Sequence, residues 1–521
     1  MFCMSQAFAT IKSSMCLGVL IAVALLPVEQ AAAVDEGVSV TVYSSADPAG
    51  FDPQQFIAQQ RAGFGATFAW QVPGFGVVKE VRSLDVDKGI SSLEFNNVAQ
   101  FIDPTTVSFV DLTDDRTRVL EQNFQFDLVS PEKLMERYLD QVITVHVQEG
   151  ENVSSINGRL LASRDGSLII RLDDGSLQVI PSDRAWVTLP GGKATDSLLT
   201  RPTLTWIVDS PTGGRHMVRT TYQTSGMTWR SDYNLVLSDD DSSADLTAWV
   251  TLMNLSGATF DNARLKLVAG DVQRVQSSMN KLGAVRRGGV VEAMAEDGFS
   301  EQSFFEYHLY TLSRPTDLKL NSTQQLALFP PVSGIDVTKT LVFAPTVLAN
   351  YQHGRDPLTN ASAAFQGKGK VQVLVSFINS QENRMGMPLP AGKVRAYKQD
   401  PADGTLEFIG EDMIDHTPRN ESVQIKLGDS FDVVAERTVM DFKLDKSRKT
   451  MQETIRVQVR NQKNVTQSVL VRERLYRWKQ WKITSIDGAR YEKIDSNTIK
   501  FDLEVKPESS STVTYTVEYT W

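Results

Sequence analysis

The chain has 521 residues, with 53 Lys and Arg against 63 Asp and Glu for a formal net charge of −10. Hydrophobic residues make up 41% and charged residues 22%, a globular balance that excludes global disorder, a collagen-like fibre and a polytopic helical membrane protein. The acidic balance argues against nucleic acid as a partner and against a general affinity for anionic membranes.

Residues 1–33 read as a secretory signal. Lys12 gives a positive start, residues 15–26 (MCLGVLIAVALL) an apolar core too short for a stable membrane anchor, and Ala31, Ala32 and Ala33 a cleavage site after Ala33. Cys3 and Cys16 are the only cysteines, and both fall in this segment. The expected mature chain, 34–521, therefore has no thiol, which excludes disulfides, thiolate metal sites and cysteine nucleophiles and suits an oxidising periplasm. Once the signal is removed, no transmembrane helix is expected.

The mature chain opens with a strand, VSVTVY. Residues 52–61 (DPQQFIAQQR) follow as a short amphipathic helix capped by Asp52 and Pro53, and the Gly- and aromatic-rich residues 63–76 as a loop. Over 77–129 the pattern predicts short strands (VVKEVRSLDV, ISSLEFNNV, TVSFVDL and RVLEQNFQFDL), with a turn at Asp103-Pro104. Ser130 and Pro131 then open a short helix whose face carries Leu134, Met135, Tyr138 and Leu139. Next comes VITVHV (142–147), followed by a meander whose turns are Asp165-Gly166 and Asp174-Gly175, both read as type I′. A barrel-like unit or curled sheet over 141–193 is the natural closure.

Beyond 194 period-two alternation dominates. It is clear at Leu246, Ala248, Val250 and Leu252, at Val371, Val373, Val375 and Phe377, and at Ile455, Val457 and Val459. The last strand is the cleanest, with Val513, Tyr515, Val517, Tyr519 and Trp521 on one face and Thr516 and Glu518 on the other, so Glu518→Lys is expected to be nearly silent. One apolar and one wet face implies a C-terminal antiparallel sandwich. The expected organisation is thus a signal (1–33), an N-terminal β-rich domain with a short helix (34–140), the small barrel-like unit (141–193) and a sandwich-like region (194–521) with a linker near 276–303. A second weak stretch spans 354–370.

Several stretches carry a family resemblance: 119–139 (VLEQNFQFDLVSPEKLMERYL), 201–206 (RPTLTW), 220–235 (TTYQTSGMTWRSDYNL), 248–275, 305–312 (FEYHLYTL) and 389–418. The chain resembles the bacterial exported proteins grouped as domain of unknown function four-one-three-nine. That resemblance implies a secreted, β-rich protein with a sandwich-like C-terminal half, and no activity.

Motifs for catalysis are weak. The five histidines, His146, His216, His308, His353 and His416, lie at least 45 positions apart, so there is no local metal-ligand pair. Gly428-Asp429-Ser430 is similar to a serine-hydrolase block, but no His follows His416, and a Gly-Asp turn before a strand is the preferred reading. Asp239, Asp241, Ser243 and Asp245 mimic a calcium loop, but Ala244 and Val250 occupy the positions that need Gly and Glu, leaving a solvated hairpin turn. Gly74-Phe75-Gly76 lacks the strand–turn–helix setting of a nucleotide fingerprint. Tyr476, Arg477, Trp478, Lys479, Trp481 and Lys482 interleave basic and aromatic residues, read as a strand and turn with cation–π contacts in preference to a carbohydrate-stacking surface.

No catalytic, cofactor or metal residue is assigned, and no cofactor is expected. The reading is an exported, periplasmic or secreted envelope protein that binds protein or glycan without catalysis. The alternatives are an envelope hydrolase assembled from distant carboxylates with His308 or His416, and an outer-membrane-associated protein suggested by the aromatic-ended last strand. Intact-mass measurement of exported protein is expected to give a chain starting at Val34; retention of 1–33 would defeat the signal reading.

Overall fold

Alternating side chains place every second residue of a strand in a core, and the molecule is built from that one device. The computed structural model describes residues 35–44, 58, 72–125, 130–149, 152–164, 166–191, 200–270, 298–345, 356–363 and 366–521. Two units separate at residue 35; the first, apart from Asp35, lies outside the described residues, and every sheet belongs to the second, 36–521. The signal segment, nearly all of the 52–61 helix, most of the 63–76 loop, His353 and most of the 276–303 linker also lie outside them. The linker's last residues belong to a strand, Phe299–Phe304.

The fold is mainly β, as expected. Among the described residues there are five sheets and one α-helix. An eight-stranded sheet runs, in spatial order, Phe299–Phe304, Tyr307–Leu312, Phe260–Ala269, Gly37–Ser44, Phe75–Val86, Gly214–Thr224 and Ile102–Asp111, with Thr316–Leu318 also pairing on Phe260–Ala269. The opening strand lies parallel to Phe260–Ala269, Val40 opposite Leu265 and Val42 opposite Leu267. Gly74 (φ 97°) makes the neighbouring connection possible, because a Cβ there would sit 2.4 Å from the Tyr43 carbonyl oxygen.

A three-stranded sheet (Gly89–Asn96, Thr203–Ser210, Arg118–Gln125) covers the core with Trp206, whose ring meets Phe95 and Phe109. The expected turn at Asp103-Pro104 does not occur. The chain turns earlier, with Asn97 at φ 61°, and Pro104 lies inside the strand Ile102–Asp111. That strand is the end of its sheet and its ladder is irregular here, so proline's missing N–H breaks no bond.

The helix Pro131–Arg137 starts as predicted, with Ser130 Oγ accepting from Lys133 N. It delivers Tyr138 into the core of a small five-stranded sheet, Ala185–Thr188, Val142–Glu149, Asn152–Arg164, Ser167–Arg171 and Leu177–Pro181 in spatial order. The sheet stays open rather than closing as a barrel, since its two end strands share no ladder. The turn at Asp174-Gly175 is not type I′: only Gly175 has positive φ (85°), and Gly175 N donates to Leu172 O in a four-residue turn.

A central five-stranded sheet runs Ser322–Asp336, Ser243–Asn254, Met227–Leu237, Gly392–Gln399 and Leu406–Ile414. Its inward residues, among them Trp229, Tyr233, Leu246, Ala248 and Val250, share one core with the eight- and three-stranded sheets, and Trp229 Nε1 donates to Val42 O (3.1 Å). Pro330 and Pro331 lie within Ser322–Asp336. This is tolerated because the strand is at the end of its sheet and slips register opposite Leu246 and Ala248.

A nine-stranded sheet forms the sandwich-like C-terminal part. The strand Ser422–Asp445 reaches from the shared core, through Val423 and Ile425, into the second core, through Val433 and Ala435. Gly428-Asp429-Ser430 therefore lies inside a continuous strand, not at a turn before one. The last strand, Ser509–Thr520, buries Val513, Tyr515, Val517 and Tyr519 as its period predicts. It is paired on both sides, with Thr450–Asn461 and Trp481–Asp487.

Two guanidinium–carboxylate pairs are sealed in this part. Arg437 Nε donates to Glu473 (3.0 and 3.2 Å), which also accepts from Tyr515 Oη (2.6 Å). Arg477 donates to both Glu453 oxygens (2.9 and 3.0 Å) and to the carbonyls of Leu358 (3.1 Å) and Asn360 (2.8 Å), which fixes part of the weak 354–370 stretch. Arg477→Met is expected to cost about 3–5 kcal/mol by leaving Glu453 buried without its cation, read as a shift in denaturant midpoint. Deleting residues 512–521 should abolish cooperative unfolding. Glu518 pairs with Lys482 (2.7 Å) and accepts from Gln452 (2.7 Å), so Glu518→Lys would set a lysine against a lysine and is now expected to cost up to about 1 kcal/mol, read as a shift in denaturant midpoint.

Candidate functional site: the outward face of the central sheet

Four of the five histidines lie among the described residues, and each has a polar partner. His146 is fixed between Ser155 Oγ (2.8 Å) and Thr188 Oγ1 (2.9 Å) and stacks on Trp186. His216 Nδ1 meets Asp111 Oδ2 (2.6 Å) in a buried cluster with Thr117 and Ser210 that ties the 112–117 loop to the neighbouring hairpin. His416 Nδ1 accepts from Ala391 N (3.0 Å), fastening a loop. His308 Nδ1 meets Glu301 Oε1 (2.7 Å), and the other Glu301 oxygen is buried with no hydrogen-bond partner. His308 and His416 thus serve different partners, one a carboxylate and the other a backbone amide.

In the basic–aromatic run, Arg477 is the buried anchor described above, and Lys479 lies over Trp478 at 5.3 Å, as the cation–π reading expects. Asp429 is held by Lys370 (3.1 Å) and Lys426 (3.3 Å). The acidic turn behaves as a hairpin turn. Asp240 accepts from Ser238 Oγ, Ser242 N and Ser242 Oγ, and Asp241 lies between Lys339 Nζ and Lys398 Nζ, 2.6 Å from each.

The alternation has another side, which none of the sequence motifs marks. In Met227–Leu237, Trp229, Ser231, Tyr233 and Leu235 point inward and leave Arg230, Asp232 and Asn234 outward. In Ser243–Asn254 the outward set is Asp245, Thr247, Trp249 and Thr251. Register places Trp249 opposite Asp232 on one side and Ala327 on the other. The flanking rows are Gln325–Thr251–Arg230 and Thr247–Asn234–Arg395.

The polar groups converge on one carboxylate. Asp232, only 5% exposed, accepts from Thr251 Oγ1 (2.7 Å), Arg230 Nε (3.3 Å) and Arg395 Nη1 (3.4 Å). Arg395 and Lys393 also reach Glu411 (3.6 and 3.5 Å). Beside this network Trp249 keeps 37% of its surface in water, next to the small side chain of Ala327. The face thus presents an aromatic plane bordered by guanidinium, amide and hydroxyl groups on paired strands, where side-chain positions are held by the ladder. It carries no nucleophile activated by a base. An exposed Trp in the wet half of an alternating strand was the sequence signal that could have found it.

A family model described as Domain of unknown function (DUF4139) matches residues 218–521, which includes every residue of this face. No curated protein matches the chain.

Hydrogen bonds from Ser238 and Ser242 lower the Asp240 pKa to about 2. Asp241 is also lowered: burial opposes ionisation, and the hydrogen bonds and charges of Lys339 and Lys398 overcome it. A lowered native pKa contributes stability above the unfolded value, about 3.9 for Asp, and that contribution is lost as pH falls through the native value. The melting temperature is therefore expected to hold from neutral pH down to about 5 and to fall between about 4 and 2, and Asp241→Asn should reduce that fall.

Proposed function

The chain belongs to the DUF4139 family, and from that premise we propose that it is an exported, non-catalytic binding protein of the cell envelope whose ligand is a glycan. The observation that carries this reading is the pairing of exposed Trp249 with the Asp232-centred network across one strand boundary. A sugar ring has an apolar face of C–H groups and a rim of hydroxyls. The indole takes the first, and Arg230, Asn234, Thr247 and Gln325 stand where they can take the second. A sheet face open along its length suits a chain of sugars better than a single small molecule, which favours enclosure. The signal-like residues 1–33 and the absence of cysteine from 34–521 support an envelope location. No helix among the described residues is long and apolar enough to cross a membrane.

One observation favours a second reading, an envelope hydrolase: the buried Glu301 beside His308 with one oxygen unpartnered. If that holds, Glu301→Gln removes any glycan cleavage while leaving glycan binding in place.

The test of the main reading is co-sedimentation of the full mature chain with purified peptidoglycan sacculi. Trp249→Ala should weaken retention about ten-fold or more, the cost of losing an aromatic anchor, with an unchanged melting curve. Phe431→Ala, at a position 94% exposed on another strand, should retain wild-type binding. Equal retention of Trp249→Ala and wild type would defeat the glycan reading.

A further inference from the structure

Near the other end of the strand that flanks Trp249, the chain forms a cleft of about 550 Å³. One wall is Phe329, Pro330, Pro331 and Val332; the facing loop supplies Met385, Met387 and Leu389. The volume falls within the range of small-ligand sites, about 300–1,000 Å³. We propose that this cleft binds a single-chain amphiphile with a carboxylate head, the apolar chain lying on the proline and methionine walls and the carboxylate held by Arg384.

The cleft is built rather than left over. Asn379, fully buried, donates to Met387 O (2.9 Å) and Pro418 O (3.2 Å) and accepts from Gly386 N (3.3 Å). Asn383 donates to Ile378 O (2.8 Å) and accepts from Asp336 N (3.2 Å), which ties the loop to the end of the opposing strand. Tyr310 Oη and Tyr233 Oη donate to the carbonyls of Pro388 (2.9 Å) and Pro390 (2.7 Å) from beneath. These side-chain bonds hold a loop whose methionines present flexible, polarizable surface to the cleft.

The head-group argument rests on charge. Arg384 is the one charged residue lining the cleft; its guanidinium bonds to the Ser333 carbonyl, and among the described residues it is paired with no carboxylate. Its Nη1 donates to Ser333 O (2.6 Å), which turns the guanidinium across the mouth and leaves its other N–H groups to receive a planar anion in two-point fashion. Its backbone stands at φ 57°, a left-handed conformation uncommon for a residue that is not Gly, Asn or Asp, and the bonded loop keeps it there. An unpaired cation at the rim of an apolar cleft that holds no other charge selects a ligand that is apolar with one anionic end.

The probe is dodecanoate, titrated calorimetrically into the full mature chain below its micelle concentration, with dodecanol as the neutral match. Saturable binding of one dodecanoate is expected, with dodecanol weaker. Arg384→Gln should weaken dodecanoate about ten-fold and leave dodecanol unchanged, the loss of a charge-assisted pair without loss of the chain's contacts. Ser333→Trp, which fills the mouth from an exposed position, should abolish both. Absence of saturable dodecanoate binding would overturn the proposal and favour a protein segment as the occupant. Equal affinity of Arg384→Gln and wild type would also overturn it. Neither outcome bears on Trp249, so the glycan reading stands or falls separately.

Discussion

Two buried ion pairs fix the C-terminal half of this molecule. Arg437, Glu473 and Glu453 stand at strand positions where alternation alone would place apolar side chains, Arg477 reaches Glu453 from the connection after Arg474, and each pair is matched by further bonds, from Tyr515 in one case and to backbone carbonyls in the other. Such pairs add little net stability over an apolar core, but a strand slipped by one residue would leave a charge buried and alone. They therefore act as register pins. Because Arg437 lies on Ser422–Asp445, the pin fixes the strand that also enters the shared core through Val423 and Ile425.

The shared core in turn holds both proposed sites. The strand Ser322–Asp336 gives Gln325 and Ala327 to the Trp249 face and Phe329–Val332 to the cleft. Its slips of register opposite Leu246 and Ala248 let one strand serve both. Before the slips it is a regular ladder that presents a sheet face; at them two prolines stand off the ladder and form a wall. Tyr233 and Tyr310 connect the two regions from inside, each with its ring in the core and its hydroxyl on a carbonyl of the cleft loop. Burial pushes both phenols above their ordinary pKa, so they remain neutral donors at any physiological pH.

Much of the fold was legible because strand burial has a period of two. Val513 to Tyr519, Leu246 to Leu252 and Ile455 to Val459 face inward as the alternation says. Ser130 caps its helix because a serine before a proline has a local reason to do so. Local chemistry misled where a neighbouring strand overruled it. Asp103-Pro104 and Gly428-Asp429 have turn composition, yet each is carried through a strand because an irregular ladder absorbs it. Arg477 sits in a run read as a strand and turn with cation–π contacts, and its burial depends on a carboxylate 24 positions away that nothing local could indicate.

The class was written in the sequence: a cysteine-free chain after residue 33, strands with one apolar face, a short helix capped by Ser130, and no local catalytic or metal motif. Tertiary structure decided which strands are neighbours. Gly37–Ser44 lies against Phe260–Ala269, and Met227–Leu237 lies parallel to Gly392–Gln399, pairings that no local signal specifies. The Trp249 face and the Arg384 cleft both depend on such pairings. Their residues come from strands and loops far apart in the chain, and alternation tells which way a side chain points without telling what stands beside it.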